Sequence, residues 1–153
     1  MERAVELDQH APLVRAEYAY ELGRMGRLSE AEKMFRAILR AKPRDEYALR
    51  KYAQFLFYNF DKERDPEAVR YFRRVVDVCP NDFRSLFELG EALYFADANS
   101  EAIEVLTHAI EMNPSGDKAY ELRSEILDEL GQTEEARHDQ ATVRKLTEAS
   151  TAN

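Results

Sequence analysis

Apolar residues along this chain recur every three or four positions, and polar residues fill the intervals between them. In the stretch between Asp45 and Phe60, the apolar positions are Ala48, Leu49, Tyr52, Ala53, Leu56 and Phe57. This spacing places them on one face of a helix, and the same spacing returns in later segments. The alternation that would indicate strands does not occur in the sequence. The pattern therefore predicts an all-α fold.

The helical pattern is itself repeated, with a period of 34 residues that lengthens once to 37. A column of alanines marks the period at Ala31, Ala68, Ala102 and Ala136. A column of leucines lies at Leu22, Leu56, Leu93 and Leu127. Small residues, which would let two helices approach closely, form a third column at Ala19, Ala53, Gly90 and Ser124. Periods in this range are typical of stacked repeats, in which each unit packs on its neighbours.

Residues that start and stop helices fall between the predicted helical segments. Ser29 is followed three residues later by Glu32, which is the pattern of a capping box, and Asp82 is a further N-cap candidate. Gly26 and Gly131 are predicted to end the first helix of a pair. Prolines stand between successive repeats, at Pro43, Pro80 and Pro114. Each repeat is therefore predicted to contain two helices.

The best-marked repeat resembles a known family. It contains Leu89-Gly90-x-Ala92-Leu93-Tyr94, then Glu101-Ala102-Ile103, then Ala109-Ile110 and Pro114. This combination resembles the tetratricopeptide repeat, and the other repeats resemble it less completely. The resemblance implies an α-α superhelix (solenoid) of stacked antiparallel helix pairs. It also implies a role in protein–protein interaction.

The repeats divide residues 1–150 into a single predicted array, with a tail at 151–153. The array consists of a remnant of a preceding repeat's second helix at 1–11, repeat 1 at 12–45, repeat 2 at 46–82, repeat 3 at 83–116 and a degenerate capping repeat at 117–150. Repeat 2 carries a three-residue insertion within the loop from Asn59 to Arg64, whose role the sequence leaves open.

The two ends of the array differ in their polarity. Gln140 takes a position that is apolar in earlier repeats, and Arg137, His138 and Asp139 surround it. We interpret this as the polar outer face of a terminal repeat. The N-terminal end shows no such cap. The expectation is that the chain is the C-terminal section of a longer array, or that a partner covers its open edge.

Composition and charge exclude several classes of function. The formal net charge of −8 disfavours nucleic acid as a partner, because phosphate binding requires a basic surface. No apolar stretch approaches the roughly 18 residues of a membrane span, and membrane insertion is not expected. The single cysteine, Cys79, favours a reducing compartment, and the predicted location is cytoplasmic. A soluble fragment of an exported or anchored protein would have the same composition.

The sequence offers no recognisable catalytic or metal site. The histidines, His10, His108 and His138, are far apart and lack partners at ligand spacing. Cys79 lies beside Pro80, where an inert thiol is favoured over a nucleophile. We therefore predict that the protein is not an enzyme, and that it holds no cofactor and no metal.

The family resemblance implies a concave groove lined by the first helix of each repeat. The groove positions correspond to Tyr20, Tyr47, Arg50, Gln54, Phe57, Tyr58, Arg84, Phe87, Glu91, Tyr94 and Phe95. The last repeat would add an acidic end, with Glu121, Glu125, Asp128 and Glu129. Aromatic residues and arginine often carry the binding energy of interfaces. For Phe57 and Tyr94, a purely structural role in helix packing is equally compatible with the sequence.

Two functions follow from this pattern. In the first, the protein is an adaptor or scaffold whose groove binds a peptide or helix of another protein. In the second, it is a structural assembly element that self-associates, as a homodimer for example, through its uncapped N-terminal edge or its groove. The sequence identifies neither the partner nor the oligomeric state.

Overall fold

The computed structural model describes residues 12–59 and 65–151, and its first compact unit ends at Val78. The helices of this unit are α1 (Pro12–Arg24), α2 (Leu28–Ala41), α3 (Glu46–Asn59) and α4 (Asp65–Val78). Helix α1 packs on α2, and α3 packs on α4. The two pairs are joined because α3 also packs on α1 and α2. The predicted remnant at 1–11 and most of the loop between Asn59 and Arg64 lie outside the described residues.

The second compact unit begins at Cys79 and also contains two helix pairs. Its helices are α5 (Phe83–Phe95), α6 (Asn99–Met112), α7 (Asp117–Glu129) and α8 (Thr133–Thr151). Helix α5 packs on α6 and α7 packs on α8, while α7 also packs on α6. The described residues form helices and turns, without strands, so the predicted all-α class is confirmed. Residues 152 and 153 of the predicted tail are not described, and Thr151 is the last helical residue.

The repeat columns form the core of both units. Ala31, Ala68, Ala102 and Ala136 are all completely buried. The leucine column is at most 5% exposed, with Leu127 the most accessible of its members. Larger side chains fill the space between these columns, including Phe35, Tyr52 and Phe55 in the first unit. The alanines mark positions where helices approach too closely for a larger side chain.

Close helix contact is clearest at Gly90 on α5. A Cβ added there would lie 2.7 Å from Cδ2 and 2.8 Å from Cγ of Leu106 on α6. Ala19 and Ala53, at the same repeat position, are completely buried, and Ser124 is 6% exposed. The small-residue column is therefore buried at all four positions, and at Gly90 there is no space for a larger group.

The turns inside three helix pairs share one backbone conformation. Gly26 and Gly131 have φ values of 78° and 74°, in the left-handed region that favours glycine. Asp97 has a φ of 58° in the corresponding turn between α5 and α6. Aspartate tolerates this region better than most residues but remains less favourable than glycine. The predicted helix ends at Gly26 and Gly131 are confirmed to within two residues.

Of the two helix starts considered, one was predicted correctly. Asp82 is the N-cap of α5, and its carboxylate accepts a hydrogen bond of 2.9 Å from the Ser85 amide. The capping box at Ser29 was wrong, because α2 begins at Leu28 with Arg27 at the N-cap. The Arg27 guanidinium instead pairs with Glu30, with nitrogen–oxygen distances of 2.7 and 2.6 Å. Ser29 lies inside the first turn.

The terminal helix departs from the prediction at Asp139. This residue was assigned to a polar outer face, but it is 1% exposed. Its carboxylate accepts two hydrogen bonds from Arg123 on α7. Arg137 and His138, its neighbours in sequence, are exposed as expected. The error arises because a carboxylate paired with a guanidinium can be buried where an unpaired one would be too costly.

Candidate functional site

The predicted groove residues all lie on the first helices of their pairs. In the first unit, Tyr20 is on α1, and α3 carries Tyr47, Arg50, Gln54, Phe57 and Tyr58. In the second unit, α5 carries Arg84, Phe87, Glu91, Tyr94 and Phe95. The two sets belong to different compact units.

Tyr20 and Tyr47 of the first unit surround the ammonium group of Lys51. The Lys51 nitrogen lies 4.6 Å from the ring centre of Tyr20 and 5.5 Å from that of Tyr47. It also lies 2.9 Å from a carboxylate oxygen of Glu17, which accepts a hydrogen bond from the Tyr47 hydroxyl. Cation–π contact and the ion pair together fix Lys51. This cluster joins α1 to α3 and leaves little of the lysine charge available.

Arg50 is poorly placed for contact with a partner. Its side chain is 7% exposed, and its guanidinium lies 2.8 Å from the carboxylate of Glu46. A charge that is both buried and paired is costly to uncover. Arg50 therefore offers little of its charge to a partner. Gln54, one turn further along α3, is half-buried and already makes contacts within the protein.

The two aromatic residues at the end of α3 differ in exposure. Phe57 is half-buried and packs edge-on against Phe72 of α4, with ring centres 6.2 Å apart. Tyr58 is 63% exposed and contacts Phe57, with ring centres 5.0 Å apart. Phe57 thus contributes to packing between α3 and α4, while Tyr58 lies on its outer side. Tyr58 is the accessible aromatic residue of this pair.

Helix α5 presents a continuous stripe of predicted groove residues. At about 100° per residue, Arg84, Phe87, Glu91 and Phe95 fall within a narrow arc of the helix. Phe95 is 47% exposed, and the Arg84 side chain is 66% exposed. Phe87 is half-buried and stacks on Phe83, with ring centres 6.1 Å apart and planes 13° apart. The stripe therefore has an accessible group at each end.

Tyr94 links this stripe to the acidic residues of α7. Its hydroxyl donates a hydrogen bond of 2.8 Å to Glu129 and lies 3.4 Å from Glu125. The hydrogen bond to the Glu129 carboxylate, with burial and the negative charge of Glu125, raises the pKa of Tyr94 to about 12. The Tyr94 ring also contacts Phe95, with centres 5.5 Å apart. Tyr94 is thus both a structural contact and part of the accessible surface.

Negative charge dominates the surroundings of the stripe. Glu91 is half-buried, and its pKa is raised first by burial and then by the charge of Glu88, against the opposing effect of Lys118. The Glu88 carboxylate lies 3.1 Å from Arg84, which balances one charge. The predicted acidic end on α7 consists of exposed residues, Glu121, Glu125, Asp128 and Glu129. The surface suits a partner with apolar and basic side chains.

Within residues 12–59 and 65–151, the structure brings no metal site together. No group of three or more histidine, cysteine, aspartate or glutamate residues there could hold an ion. Cys79 is half-buried and takes part in no disulfide. None of the described helices combines the length and apolar character needed to cross a membrane.

Sequence reasoning missed three residues that organise these surfaces. Glu17 and Lys51 were not among the predicted site residues, although they hold Tyr20 and Tyr47 together. Arg123 was likewise not singled out. The signal for Lys51 was available, since it follows Arg50 on α3 and lies four residues beyond Tyr47. Its partner Glu17 is on another helix, and a single sequence shows no such pairing.

Solved structures of MamA share this fold. A double mutant of MamA RS-1 superposes with a TM-score of 0.84 at 18% sequence identity, over 97% of this chain and 82% of that chain. MamA 41-end from Desulfovibrio magneticus RS-1 gives 0.82 at 19% identity, over 95% of this chain and 80% of that chain. MamA AMB-1 superposes with a TM-score of 0.75 at 20% sequence identity, over 96% of this chain and 79% of that chain. At these identities the similarity concerns the fold alone.

No curated protein matches the chain significantly. The sequence profile of the tetratricopeptide repeat matches residues 16–83 and 87–145, which make up most of the 153 residues. The match covers all four helix pairs described above, at least in part. The resemblance found in the sequence is therefore confirmed, and the chain belongs to the tetratricopeptide repeat family.

Proposed function

We propose that the protein is a non-catalytic adaptor that binds a peptide or helix of another protein. Membership of the tetratricopeptide repeat family supports a role in protein–protein interaction. The α5 stripe carries the proposal further, because Arg84 and Phe95 are exposed at its two ends. Exposed aromatic residues and arginine are the side chains most often enriched at interface hot spots.

The dimensions of the stripe suit a short segment. From Arg84 to Phe95 the helix rises about 16 Å, which corresponds to about five residues of extended chain or three helical turns. The partner would place an apolar side chain against Phe95 and Phe87. A basic side chain beside it would meet Glu91 and the carboxylates of α7. Such segments typically bind with micromolar affinity, about −8 kcal/mol.

A peptide library that varies apolar and basic positions would test this function. We expect selected peptides to bind the intact chain and to lose about tenfold in affinity with Phe95→Ala, since an exposed aromatic contact of the stripe is removed. Arg84→Glu should further weaken peptides that place an acidic group near that end. Met112→Ala is the matched control, because Met112 is 40% exposed but lies on α6. Ligands unaffected by both α5 variants would refute the proposal.

The self-association alternative is supported by one observation, at the start of α1. Leu13 and Val14 are 53% and 42% exposed there, in the first described turn of the chain. Light scattering over a hundredfold range of protein concentration would test whether this edge pairs with another copy. Under this alternative the chain dimerises, and Leu13→Ser with Val14→Ser returns it to a monomer. A constant monomeric mass would exclude it.

The cytoplasm is the location that we propose for this activity. Cys79 is the single cysteine of the chain, so no disulfide can form within it, which suits a reducing compartment. The acidic net charge of −8 supports a protein partner over nucleic acid.

A further inference from the structure

The second helices of the first unit carry a cluster of arginines that the α5 stripe does not involve. Arg36 and Arg40 lie one turn apart on α2, and Arg70 and Arg74 lie one turn apart on α4. All four line one open pocket of about 400 Å³. We call this the arginine pocket. It is unusual in a chain whose net charge is −8.

Two tyrosines support the guanidinium groups. Tyr71 packs edge-on against Tyr52, with ring centres 4.5 Å apart. The guanidinium carbons of Arg70 and Arg74 lie 5.2 and 5.0 Å from the Tyr71 ring centre. The Arg36 Nε donates to the Tyr52 hydroxyl at 3.4 Å. Three of the four arginines are thus held around one aromatic pair, which reduces the entropy lost when they bind a ligand.

The positive charge of the pocket is only half neutralised. Arg36 pairs with Glu32 at 2.5 Å, and Arg70 pairs with Glu67 at 3.3 Å. Arg74 donates to the uncharged carbonyl of Pro43 at 2.7 Å. In the part of the chain that the structure describes, no carboxylate pairs with Arg40. Four guanidinium groups against two carboxylates leave two positive charges, those of Arg40 and Arg74, without a carboxylate partner among the described residues.

We propose that the arginine pocket binds an acidic segment of a partner protein, with two carboxylates spaced about one helical turn apart. Residues four apart on a helix have Cβ atoms about 5–6 Å apart, so each arginine pair extends from points one helical turn apart. Guanidinium groups bind carboxylates through two parallel hydrogen bonds, which lysine cannot do. This ligand is acidic, whereas the acidic surroundings of the α5 stripe suit a basic partner.

A synthetic helical peptide with glutamates at every fourth position is the probe for this site. We expect it to bind the intact chain, and to bind less tightly as salt is raised because the charges are screened. Replacing its glutamates by glutamine should abolish binding. The variant Arg40→Gln with Arg70→Gln should weaken binding by about tenfold or more, since it removes the charge of Arg40, which has no carboxylate partner within the described ranges, and that of Arg70, whose side chain is 65% exposed.

The control variant removes the same charge elsewhere. Arg27→Gln with Arg137→Gln changes two exposed arginines that, like Arg70, pair with a glutamate three residues away. Its affinity for the peptide should equal that of the unmodified chain. Equal losses in both variants would overturn the proposal in favour of a general charge effect. An unchanged affinity in the pocket variant would also overturn it.

Three further probes distinguish other occupants. Inorganic phosphate, vesicles that contain phosphatidylserine, and the chain alone at high concentration would each be tested with both variants. If phosphate or vesicles bind in an Arg40- and Arg70-dependent way while the peptide does not, the proposal is wrong. Self-association that requires these arginines, without peptide binding, would also overturn the proposal. The occupant of the pocket would then be a second copy of the chain. Peptide binding that free phosphate does not displace would support the proposal.

Discussion

Arg123 holds both carboxylate oxygens of Asp139 across the last helix pair. Its Nε lies 2.7 Å from Oδ2 and its Nη2 lies 2.8 Å from Oδ1, while Nη1 donates to the Thr107 hydroxyl at 2.8 Å. The Asp139 side chain is 1% exposed and that of Arg123 is 17% exposed. One guanidinium therefore connects α6, α7 and α8 in the second unit. Such two-pronged pairs have demanding geometry and depend strongly on both partners.

Asp139→Ala should lower the free energy of unfolding by about 3 kcal/mol, because it leaves the partly buried Arg123 charge without its partner. Replacing both residues, as Arg123→Met with Asp139→Leu, should recover much of this loss. Urea denaturation followed by circular dichroism would measure both. Glu134→Ala is the control, because the Arg137–Glu134 pair is 65% and 84% exposed and should contribute little. Equal effects of Asp139→Ala and Glu134→Ala would contradict this account.

Gly90→Ala should destabilise the second unit by about 1–3 kcal/mol, since the new methyl group overlaps the Leu106 side chain. Adding Leu106→Val would shorten the opposing side chain and make the two effects less than additive. A double-mutant cycle on thermal or urea unfolding would measure the coupling. If the two free-energy changes simply add, the overlap with Leu106 does not cause the loss of stability in Gly90→Ala.

Asp97 occupies a backbone conformation that glycine adopts in the corresponding turns, at Gly26 and Gly131. We expect Asp97→Gly to be more stable than Asp97→Ala by about 1 kcal/mol, because alanine clashes with its own backbone in the left-handed region. Comparing two substitutions at one site removes the contribution of the aspartate side chain. Urea midpoints of the two variants would measure this difference. A more stable alanine variant would contradict the assigned turn.

Tyr94 should titrate with a pKa of about 12, above its usual value of 10.0. The neutral hydroxyl donates to Glu129, and ionisation would place a phenolate beside two carboxylates. The raised pKa means that this contribution to stability is fully present below pH 10 and is lost as pH rises through about 12. The ultraviolet titration of the intact chain minus that of Tyr94→Phe isolates the group. Glu129→Gln should lower this pKa, and an unchanged value would rule out the contact.

The core and the helix pairs could be predicted because their signal is local and repeated. Every member of the alanine and leucine columns is buried, as the 34-residue period requires. Ala102, for example, occupies the same position in its repeat as three other alanines, and all four are completely buried. Helix starts were less reliable, as Ser29 shows, because several polar residues near a helix start compete for the N-cap.

Contacts between helices could not be predicted from single positions. Asp139 was expected at the surface, since aspartate is rarely buried without a partner, and its partner Arg123 is 16 residues away on another helix. The Lys51 contact with Glu17 and the tyrosines is of the same kind. Arg50 shows the converse. The family resemblance implies that it lines the groove, but in this chain it is buried. The repeat period predicts where a residue lies within its helix pair, but the exposure of its side chain depends on residues from other helices.

The junction between Val78 and Cys79 has a consequence for how such a protein can change its length during evolution. Each compact unit contains two complete helix pairs, and the side-chain contacts described above lie within one unit or the other. A recombination breakpoint at this junction would add or remove a block of two pairs while leaving each of those contacts intact. A breakpoint within a pair, between α7 and α8 for example, would separate Arg123 from Asp139. Duplication of a whole block is thus a change in length that preserves these contacts.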